Sequence, residues 1–258
     1  MQRKDPHVSV IMPVYMARDF VEAAIRSVMA QTFTEWELLV IDDCSPDDSY
    51  AKAKALADID ERIILLRNEQ NMGVARTRNR GLELSRGQYV AFLDSDDVWH
   101  PEKLERQLAL MDQTRASLCY CSYRIVDAAG VPVKPDYIVP PSTDYEALLR
   151  ENCVCCSSIL VSGELARAIR FKTDYFHEDY VFLLELLRAG RRAVGCTEPS
   201  VDWRYMDDTR SFDKRKAAMN RWRIYRDHLK LPLLKRVWVF GCYAVAGSRK
   251  YFRKRREV

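Results

Sequence analysis

Two carboxylates separated by one residue are the most informative feature of this 258-residue chain. Asp94 and Asp96 directly follow an apolar run at residues 89–93, which has the composition of a buried strand. Carboxylate oxygens are ligands for hard divalent cations, which keep further positions for phosphate oxygens and water. A cation held there can stabilise negative charge that develops on a diphosphate when a bond to it breaks. A solvated acidic turn that caps the next helix is the alternative interpretation.

A second acidic pair, Asp42 and Asp43, ends the apolar run at residues 38–41. A carboxylate at this position can accept a hydrogen bond from a uracil ring nitrogen or from a ribose hydroxyl. Aspartate is also favoured immediately before a helix, where it caps the first turn. The pair taken alone therefore leaves a binding role and a capping role open.

A glycine-containing loop and an arginine follow the next apolar run. Gly73, two residues after Asn71, permits close approach of the backbone to a ligand. Arg78 lies about one turn into the helix predicted next, where its guanidinium can face a phosphate or pair with an aspartate of the same site. A solvated basic helix is the alternative, because Arg76 and Arg80 flank Arg78.

These side chains lie in a segment where strand and helix patterns alternate. Strands are predicted at residues 8–14, 38–41, 63–66 and 89–93, each followed by a segment with helical periodicity. Four such units predict an α/β fold with a doubly wound, mostly parallel sheet flanked by helices. Ligands bind at the carboxyl ends of the strands in such sheets, so both acidic pairs are expected at one edge.

Five segments together resemble the family 2 glycosyltransferases of the GT-A fold. They are Val8-Ser-Val-Ile-Met-Pro-Val-Tyr15, Ser27-Val-Met-Ala-Gln-Thr-Phe33, Val40-Ile-Asp-Asp-Cys-Ser45, Asn71-Met-Gly73 with Arg78-Asn79, and Phe92-Leu-Asp-Ser-Asp-Asp97. The resemblance is dense from about residue 8 to residue 104. It implies an inverting transferase that uses a nucleotide-sugar donor, often UDP-linked, and a divalent cation, Mn²⁺ or Mg²⁺.

The resemblance also implies roles for individual residues. The expected nucleotide-sugar contacts lie at or just beyond strand ends: Pro13, Val14, Tyr15, Asp42, Asp43, Asn71, Gly73, Arg78, Asp94 and Ser95. Either Asp42 or Asp43 would hold the base or the ribose, and Asp94 and Asp96 would hold the metal ion. Met16 stands where the family commonly has Asn, a departure that bears on the nucleoside contacts and leaves the assignment intact.

An acidic pair in the second half of the chain is the expected catalytic centre. Inversion by single displacement needs a base that takes the proton of the acceptor hydroxyl. The family's base is an aspartate in an acidic pair that opens a helix, and His177-Glu178-Asp179 resembles that pair. We therefore expect Asp179 to be the base, with Glu178 as its orienting neighbour or substitute. Capping is the alternative, because acidic residues favour a first helical turn in any case.

The patterns divide the chain into a catalytic domain at residues 1–212 and a basic helical extension at 213–258. The catalytic domain comprises a nucleotide-sugar half at about 1–115 and an acceptor half at about 116–212, in which the proline-rich residues 132–141 predict an extended loop. The extension predicts two helices broken near Pro232.

The helix before that break carries a motif fragment. Asn220-Arg221-Trp222 is similar to the Q-x-x-R-W motif of processive family members, but Ala218 stands in place of the glutamine. This departure favours single addition, and a packed helix is the preferred interpretation of Arg221 and Trp222.

The C-terminal extension combines aromatic, apolar and basic residues, and residues 249–258 hold six Lys or Arg. This composition suits a helix in the interface of a membrane with anionic lipids, and residues 237–247 are too few to span one. With no apolar leader at the N-terminus, we expect a cytoplasmic protein, peripheral on the inner face of a bacterial plasma membrane. By the resemblance, its acceptor is a saccharide or lipid-linked saccharide. A helix docked on the core is the alternative.

Other classes of function fit the chain less well. Nucleic acid is not an expected partner, because no nucleic-acid-binding module accompanies the basic tail. A nucleotidyltransferase would need a glycine-rich phosphate loop with a lysine, which residues 12–15 lack. A catalytically inactive saccharide-binding scaffold would lack acidic residues at the metal or base positions. The eight cysteines lack the paired spacing of zinc sites and are expected to be buried, reduced thiols.

Overall fold

A computed structural model describes residues 5–188, 190–205 and 214–253 of the chain. Its strands are β1 (Val8–Val14), β2 (Trp36–Asp42), β3 (Ile63–Arg67), β4 (Tyr89–Phe92), β5 (Val98–Trp99), β6 (Leu118–Val126), β7 (Pro132–Tyr137), β8 (Ser142–Asp144), β9 (Leu160–Ser162) and β10 (Arg192–Arg204). Its helices are α1 (Val21–Met29), α2 (Ser49–Ala57), α3 (Val74–Leu84), α4 (Lys103–Thr114), α5 (Tyr145–Arg150), α6 (Gly163–Ala168), α7 (Glu178–Leu187), α8 (Lys214–Arg223) and α9 (Leu233–Arg253).

The first four strands form a parallel block in the order β3-β2-β1-β4. Every residue of β1 and β2 is buried, because parallel strands of this kind are covered by helices on both faces. The four strands predicted from the sequence are confirmed, with ends that shift by one or two residues. Because the strands of the block point the same way, the residues that follow them meet at one edge of the sheet.

A short antiparallel strand, β9, joins this block to the rest of the sheet. It pairs with β4 on one side and with β6 on the other, and β6 runs parallel to the long strand β10. Among the described strands, the four parallel pairings each align four to eight residues, whereas the five antiparallel pairings each align only two or three. The predicted α/β class, with a doubly wound, mostly parallel sheet flanked by helices, is confirmed.

The prediction of an extended loop at residues 132–141 is wrong in part, since Pro132–Tyr137 forms strand β7. β7 lies at an edge, antiparallel to β6. Proline lacks an N–H group, and an edge strand tolerates it because the missing donor leaves no ladder bond unmade. The rings of Tyr123 and Tyr137 stack with their centroids 5.0 Å apart and hold β7 against β6.

Side chains of the sheet alternate between two hydrophobic cores, as the twofold period of strands requires. Ile11, Leu39 and Ile41 face a core shared with helices α3, α5, α6 and α7. Val10 and Val40 face a second core shared with α1, α2 and α4. The result is a layer of helices on each face of the sheet, which holds the strand ends in place.

Two helices separated by Pro232 follow the sheet, as predicted. A π-helical turn at Ile224–His228 extends α8, and α9 begins at Leu233. The predicted domain boundary at 212/213 and the last basic residues, 254–258, lie outside the described residues. Within the described ranges, no helix has the length and apolar character to cross a membrane.

All eight cysteines are free thiols, as predicted. The expectation that they are all buried is wrong, because four of them are partly exposed: Cys44, Cys155, Cys196 and Cys242.

Candidate active site

The end of β1 supplies the first three residues of the predicted site. Pro13 and Val14 are buried within the sheet, whereas the Tyr15 side chain is 46% exposed. Of these three residues, Tyr15 is the one whose side chain is open to a base or sugar. In the next strand Asp42 pairs in register with Val14, so the ends of β1 and β2 are adjacent.

Asp42 has one carboxylate oxygen engaged and one unsatisfied. Its Oδ2 accepts from the Ser45 N–H at 3.1 Å and pairs with Arg67 Nε at 3.1 Å. Its Oδ1 is buried, and no donor in the described part of the chain reaches it. A buried acceptor without a donor is costly, so a ligand N–H or O–H placed there would be favoured. Because Asp42 is 1% exposed, a ligand would reach this oxygen only after neighbouring side chains shift.

Asp43 is occupied by contacts within the chain. Its carboxylate accepts from Asn68 Nδ2 at 2.7 Å, from the Met72 N–H at 2.9 Å and from the Gly73 N–H at 2.8 Å. These bonds fasten the loop before α3 to the end of β2. Of the two aspartates left open by the sequence, Asp42 is the one with an unsatisfied oxygen, and Asp43 holds the loop.

Met16 and Cys44 have left-handed backbone conformations, with φ of 52° and 60°. A side chain with a Cβ is disfavoured there, and Asn tolerates this region better than most residues. The departure at Met16 therefore adds backbone strain where the chain leaves β1. The Met16 N–H donates to Ser45 Oγ at 3.2 Å, which ties the two turns together.

The loop before α3 turns at Gly73, whose φ of 83° suits glycine. The exposed Asn71 accepts from the Gly73 N–H at 3.2 Å through Oδ1. Here the glycine is needed for its backbone conformation, because a Cβ at this position would meet open space. Asn71 and Gly73 thus lie together at the sheet edge, next to the carboxylate of Asp43.

Arg78 connects the two halves of the site. Its side chain is 4% exposed and pairs with Asp94 through Nη2 and with Glu178 through Nη1, the latter at 2.9 Å. Burial alone would lower the pKa of Arg78, but these carboxylates raise it well above its usual range. A single charged guanidinium therefore holds the end of β4 beside the start of α7.

The acidic turn after β4 is braced by residues that the sequence did not single out. The Asp94 N–H donates to Ser157 Oγ at 3.1 Å, and the Ser157 hydroxyl donates to Asp97. Asp97 also accepts from the Arg204 N–H at 2.9 Å, while Arg204 Nε donates to the Asp96 carbonyl at 2.7 Å. Asp97 thus shapes the turn and leaves Asp94 and Asp96 as the pair for a ligand.

The charges of this turn repel one another. Burial, together with the nearby Asp94, raises the pKa of Asp96 to about 6. Burial, together with the nearby Asp96 and Asp94, also raises the pKa of Asp97. A bound cation would relieve this repulsion because it favours the ionised carboxylates.

Asp94 and Asp96, with the half-buried Ser95 between them, fit a divalent ion that is shared with a substrate. No group of three or more His, Cys, Asp or Glu converges on a metal position in the described ranges. Mg²⁺ is commonly held by one or two carboxylates, with phosphate oxygens and waters completing its octahedron. The donor set therefore matches an ion that binds together with a diphosphate.

The acidic pair at the start of α7 divides into a buried and an accessible carboxylate. Glu178 is buried and paired with Arg78. Asp179 is partly exposed, and its Oδ1 accepts from the Tyr180 N–H at 2.8 Å. Asp179 is thus the member of the pair that an acceptor hydroxyl can approach, while Glu178 is fixed by its ion pair.

A cavity of about 350 Å³ opens beside the pair. It lies between the first turn of α3, with Gly73 and Arg76, and the segment before α7, with Asp174, Tyr175 and Glu178. Of the predicted site residues, Gly73 and Glu178 line this cavity. Arg78 connects its edge to the end of β4 through the ion pairs with Glu178 and Asp94.

Sequence patterns missed Ser157, Arg204 and Arg67, each of which touches an aspartate of the site. Each lies far along the chain from its partner, and the type of residue is common on protein surfaces. Only the burial of Ser157 and Arg204 distinguishes them, and burial is not visible in a single sequence.

Comparison with known proteins identifies a family that the chain matches. A family model described as glycosyl transferase family 2 matches residues 9–162. TuaG of Bacillus subtilis (strain 168), whose name assigns it to teichuronic acid biosynthesis, is 35% identical over 245 residues, covering 95% of this chain and 97% of TuaG. An Escherichia coli protein named UDP-Glc:alpha-D-GlcNAc-diphosphoundecaprenol beta-1,3-glucosyltransferase WfgD is 34% identical, covering 95% of this chain and 94% of WfgD.

A solved structure shares the fold. Mannosyltransferase PcManGT from Pyrobaculum calidifontis, in complex with GDP-Man and Mn²⁺, superposes with a TM-score of 0.66 at 17% identity, covering 95% of this chain and 74% of that chain. The family match spans more than half of the chain, and the relatives cover nearly all of it. The chain is therefore a GT-A-fold glycosyltransferase and belongs to glycosyltransferase family 2.

Proposed function

We propose that this enzyme transfers a sugar, with inversion, from a UDP-sugar to a lipid-linked saccharide during synthesis of a bacterial surface polysaccharide. One observation carries the proposal. Arg78 is buried and binds both Asp94, at the donor side, and Glu178, beside the proposed base. The donor half, up to about residue 115, and the acceptor half, up to about 212, thereby contribute to a single reaction centre.

The donor is held at the ends of β1, β2 and β4. The unsatisfied Oδ1 of Asp42 receives an N–H or O–H of the nucleoside, and the exposed Tyr15 contacts the base or sugar. UDP is the proposed nucleotide because WfgD, named for a UDP-Glc donor, is 34% identical to this chain. PcManGT was solved with GDP-Man, but at 17% identity its likeness extends to the fold alone.

Asp94 and Asp96 hold Mg²⁺ or Mn²⁺ together with the donor diphosphate. When bound, the ion stabilises the charge that gathers on the diphosphate as the bond to the sugar breaks. Ser95, which lies between the two carboxylates in the sequence and is half-buried, is proposed to contact the diphosphate. Arg78, fixed by Asp94, keeps a permanent positive charge at the same edge.

Asp179 takes the proton from the acceptor hydroxyl as that oxygen attacks the anomeric carbon. It suits this role because its carboxylate is partly exposed and makes no ion pair with Arg78. Glu178 orients the helix start through its ion pair with Arg78. Attack from the side opposite the departing diphosphate inverts the anomeric configuration, in one step.

The acceptor is proposed to be lipid-linked because α9 presents an apolar surface. Its members recur at helical spacing along one side and are more than half exposed: Leu233, Leu234, Val237, Trp238 and Val245. We name this surface the outer face of α9. Basic residues at 249–256 follow it in the sequence, which suits contact with anionic lipids at the inner face of a plasma membrane. WfgD is named for a diphosphoundecaprenol-linked acceptor.

Transfer is tested with purified protein, a panel of UDP-, GDP- and dTDP-sugars, and Mn²⁺ or Mg²⁺, measuring nucleotide diphosphate release with and without a diphosphoundecaprenol-linked saccharide. We expect release from a UDP-sugar that EDTA abolishes and that Asp96→Ala lowers by about a hundredfold or more. The matched control is Asp112→Ala, an exposed acid on α4, which should keep activity. Absence of both turnover and metal-dependent UDP binding by calorimetry would overturn the proposal.

Membrane contact is tested by sedimentation with phosphatidylcholine vesicles, with and without phosphatidylglycerol. Wild type should bind the anionic vesicles, and Leu234→Glu with Trp238→Glu should weaken binding at least about tenfold, because each burial contributes more than about 1.4 kcal/mol. Ile59→Glu, an exposed apolar residue after α2, is the control. Equal binding by all three proteins would argue against the outer face as the contact.

A further inference from the structure

The start of α7, the helix that carries the proposed base, contacts α8 as well as Arg78 of α3. α7 begins at Glu178, and the side chain of His177 at the N-cap makes no capping hydrogen bond. N-cap side chains usually satisfy the free N–H groups of a first turn. The direction of the residues at this start must therefore be set by other contacts.

Asn220, in α8, binds the two residues immediately before α7. Its Oδ1 accepts from the Phe176 N–H at 3.1 Å, and its Nδ2 lies 3.1 Å from His177 Nδ1. Because the amide oxygen faces a backbone N–H, the amide nitrogen must face the histidine, and the neutral ring accepts at Nδ1. Asn220 is buried, at 9% exposure, so these bonds are shielded from water.

Arg221, the next residue, contacts Tyr180, the residue that follows the acidic pair. Its guanidinium carbon lies 3.4 Å from the centre of the Tyr180 ring, directly after Asp179. The Tyr180 hydroxyl donates to the Leu148 carbonyl at 3.2 Å, which fixes the far end of the ring. Residues on both sides of Asp179 in the sequence therefore contact α8.

We infer that Asn220 and Arg221 are positioning residues, which direct the Asp179 carboxylate toward the acceptor hydroxyl. The inference rests on the proposed function, in which Asp179 is the base. The same guanidinium lies 4.9 Å from the Tyr243 ring of α9. α8 therefore connects the helix that bears the outer face with the helix that bears the base.

The primary test compares Asn220→Ala, Asn220→Asp and the control Met219→Ala, whose side chain is 67% exposed on α8. Asn220→Ala should lower kcat by about tenfold or more, because a small misplacement of a reacting group is costly. KM for the donor and calorimetric UDP binding should be unchanged, because the hydrogen bonds of Asn220 go to the segment before α7 and not to the residues of the proposed donor site. Asn220→Asp keeps an acceptor for the Phe176 N–H and should recover part of kcat.

A double-mutant cycle separates positioning from general loss of structure. If Asn220 acts through Asp179, then adding Asn220→Ala to Asp179→Asn lowers the residual kcat no further. The inference is overturned if Asn220→Ala lowers kcat by the same factor in the Asp179→Asn background as in wild type. It is also overturned if Asn220→Ala alone leaves kcat normal. Normal transfer by Asp179→Asn alone would instead overturn the assignment of the base. UDP binding by that variant shows whether its donor site is intact.

Discussion

Adjacent residues of the same type serve different purposes at the end of β2. Asp42 has a buried carboxylate oxygen that no donor in the described chain reaches. The Asp43 carboxylate accepts from three donors of the loop before α3. The two roles are complementary, because Asp43 fixes the backbone of the loop beside the oxygen that Asp42 offers. The mutational signatures of the two residues should therefore differ.

Asp43→Ala should lower the free energy of unfolding by about 1–3 kcal/mol, because the Met72 and Gly73 N–H groups lose their acceptor. Urea denaturation followed by circular dichroism measures the change. Asp48→Ala is the control, since Asp48 is exposed and makes no capping bond to α2. Equal stability of both variants would contradict a holding role for Asp43.

Met16→Asn should raise the free energy of unfolding by about 1 kcal/mol, because Asn tolerates the left-handed backbone at this position. Met16→Val should lower it, since a β-branched side chain fits that conformation worst. Thermal unfolding of the two variants checks the sign of each effect. Shifts in the same direction would show that side-chain contacts of Met16, and not its φ, dominate.

The site residues at strand ends could be predicted, because the pattern of strands implies where the edge of the sheet lies. The alternation of strands and helices was enough to predict that Asp94, Asp96 and Asp42 lie at one edge of the sheet. Ser157 and Arg204 could not be predicted, because they contact the acidic turn from residues more than sixty positions away. Their roles follow from packing, which a single sequence does not display.

At the scale of elements, α3 connects the site, because its inward side carries Arg78 to both the end of β4 and the start of α7. A helix after the third strand was predicted from periodicity, and α3 forms there. The partner Glu178 is one hundred residues away, so the ion pair itself was not predictable. β9 was missed for another reason, since its three residues are too few to show alternation.

Arg78→Lys should lower kcat/KM by about a hundredfold while the protein stays folded, because one ammonium cannot span both carboxylates in the geometry of a guanidinium. Arg26→Lys is the matched control, because Arg26 is an exposed arginine on α1 and lies outside the proposed site. Steady-state kinetics with the donor that the sugar-nucleotide panel identifies measure kcat/KM, and circular dichroism checks that the variant is folded. Full activity of Arg78→Lys would mean that charge alone suffices at this position.

At the scale of the molecule, α9 belongs to both the core and the surface. Val239 is fully buried, and Phe240 packs edge-on against Trp222 at 5.4 Å. The opposite side carries the outer face, of which Leu234 is 86% exposed. The sequence predicted an amphipathic, interfacial helix or a docked one, and the contacts of α9 combine a docked side with a free side.

Truncation after Pro232 should lower the free energy of unfolding by about 3 kcal/mol or more, because burial of a Val or Phe side chain contributes about 1.5–3 kcal/mol each. Leu234→Glu in the full chain should leave stability within about 0.5 kcal/mol, as for other surface changes. Guanidinium chloride denaturation distinguishes the two. A truncated protein as stable as the full chain would indicate that α9 is a separate appendage.

The position of β9 has a consequence for engineering. The family match ends at residue 162, which is also the last residue of β9, the strand that borders the donor block. Recombination with TuaG or WfgD at this point would keep β4, β9 and the Ser157 brace in one parent and exchange α7, α8 and α9 as a unit. Such chimeras should inherit donor choice from the N-terminal parent and acceptor choice from the C-terminal parent, which product analysis by mass spectrometry would reveal. The short antiparallel strand would then mark a natural crossover point between two separable specificities.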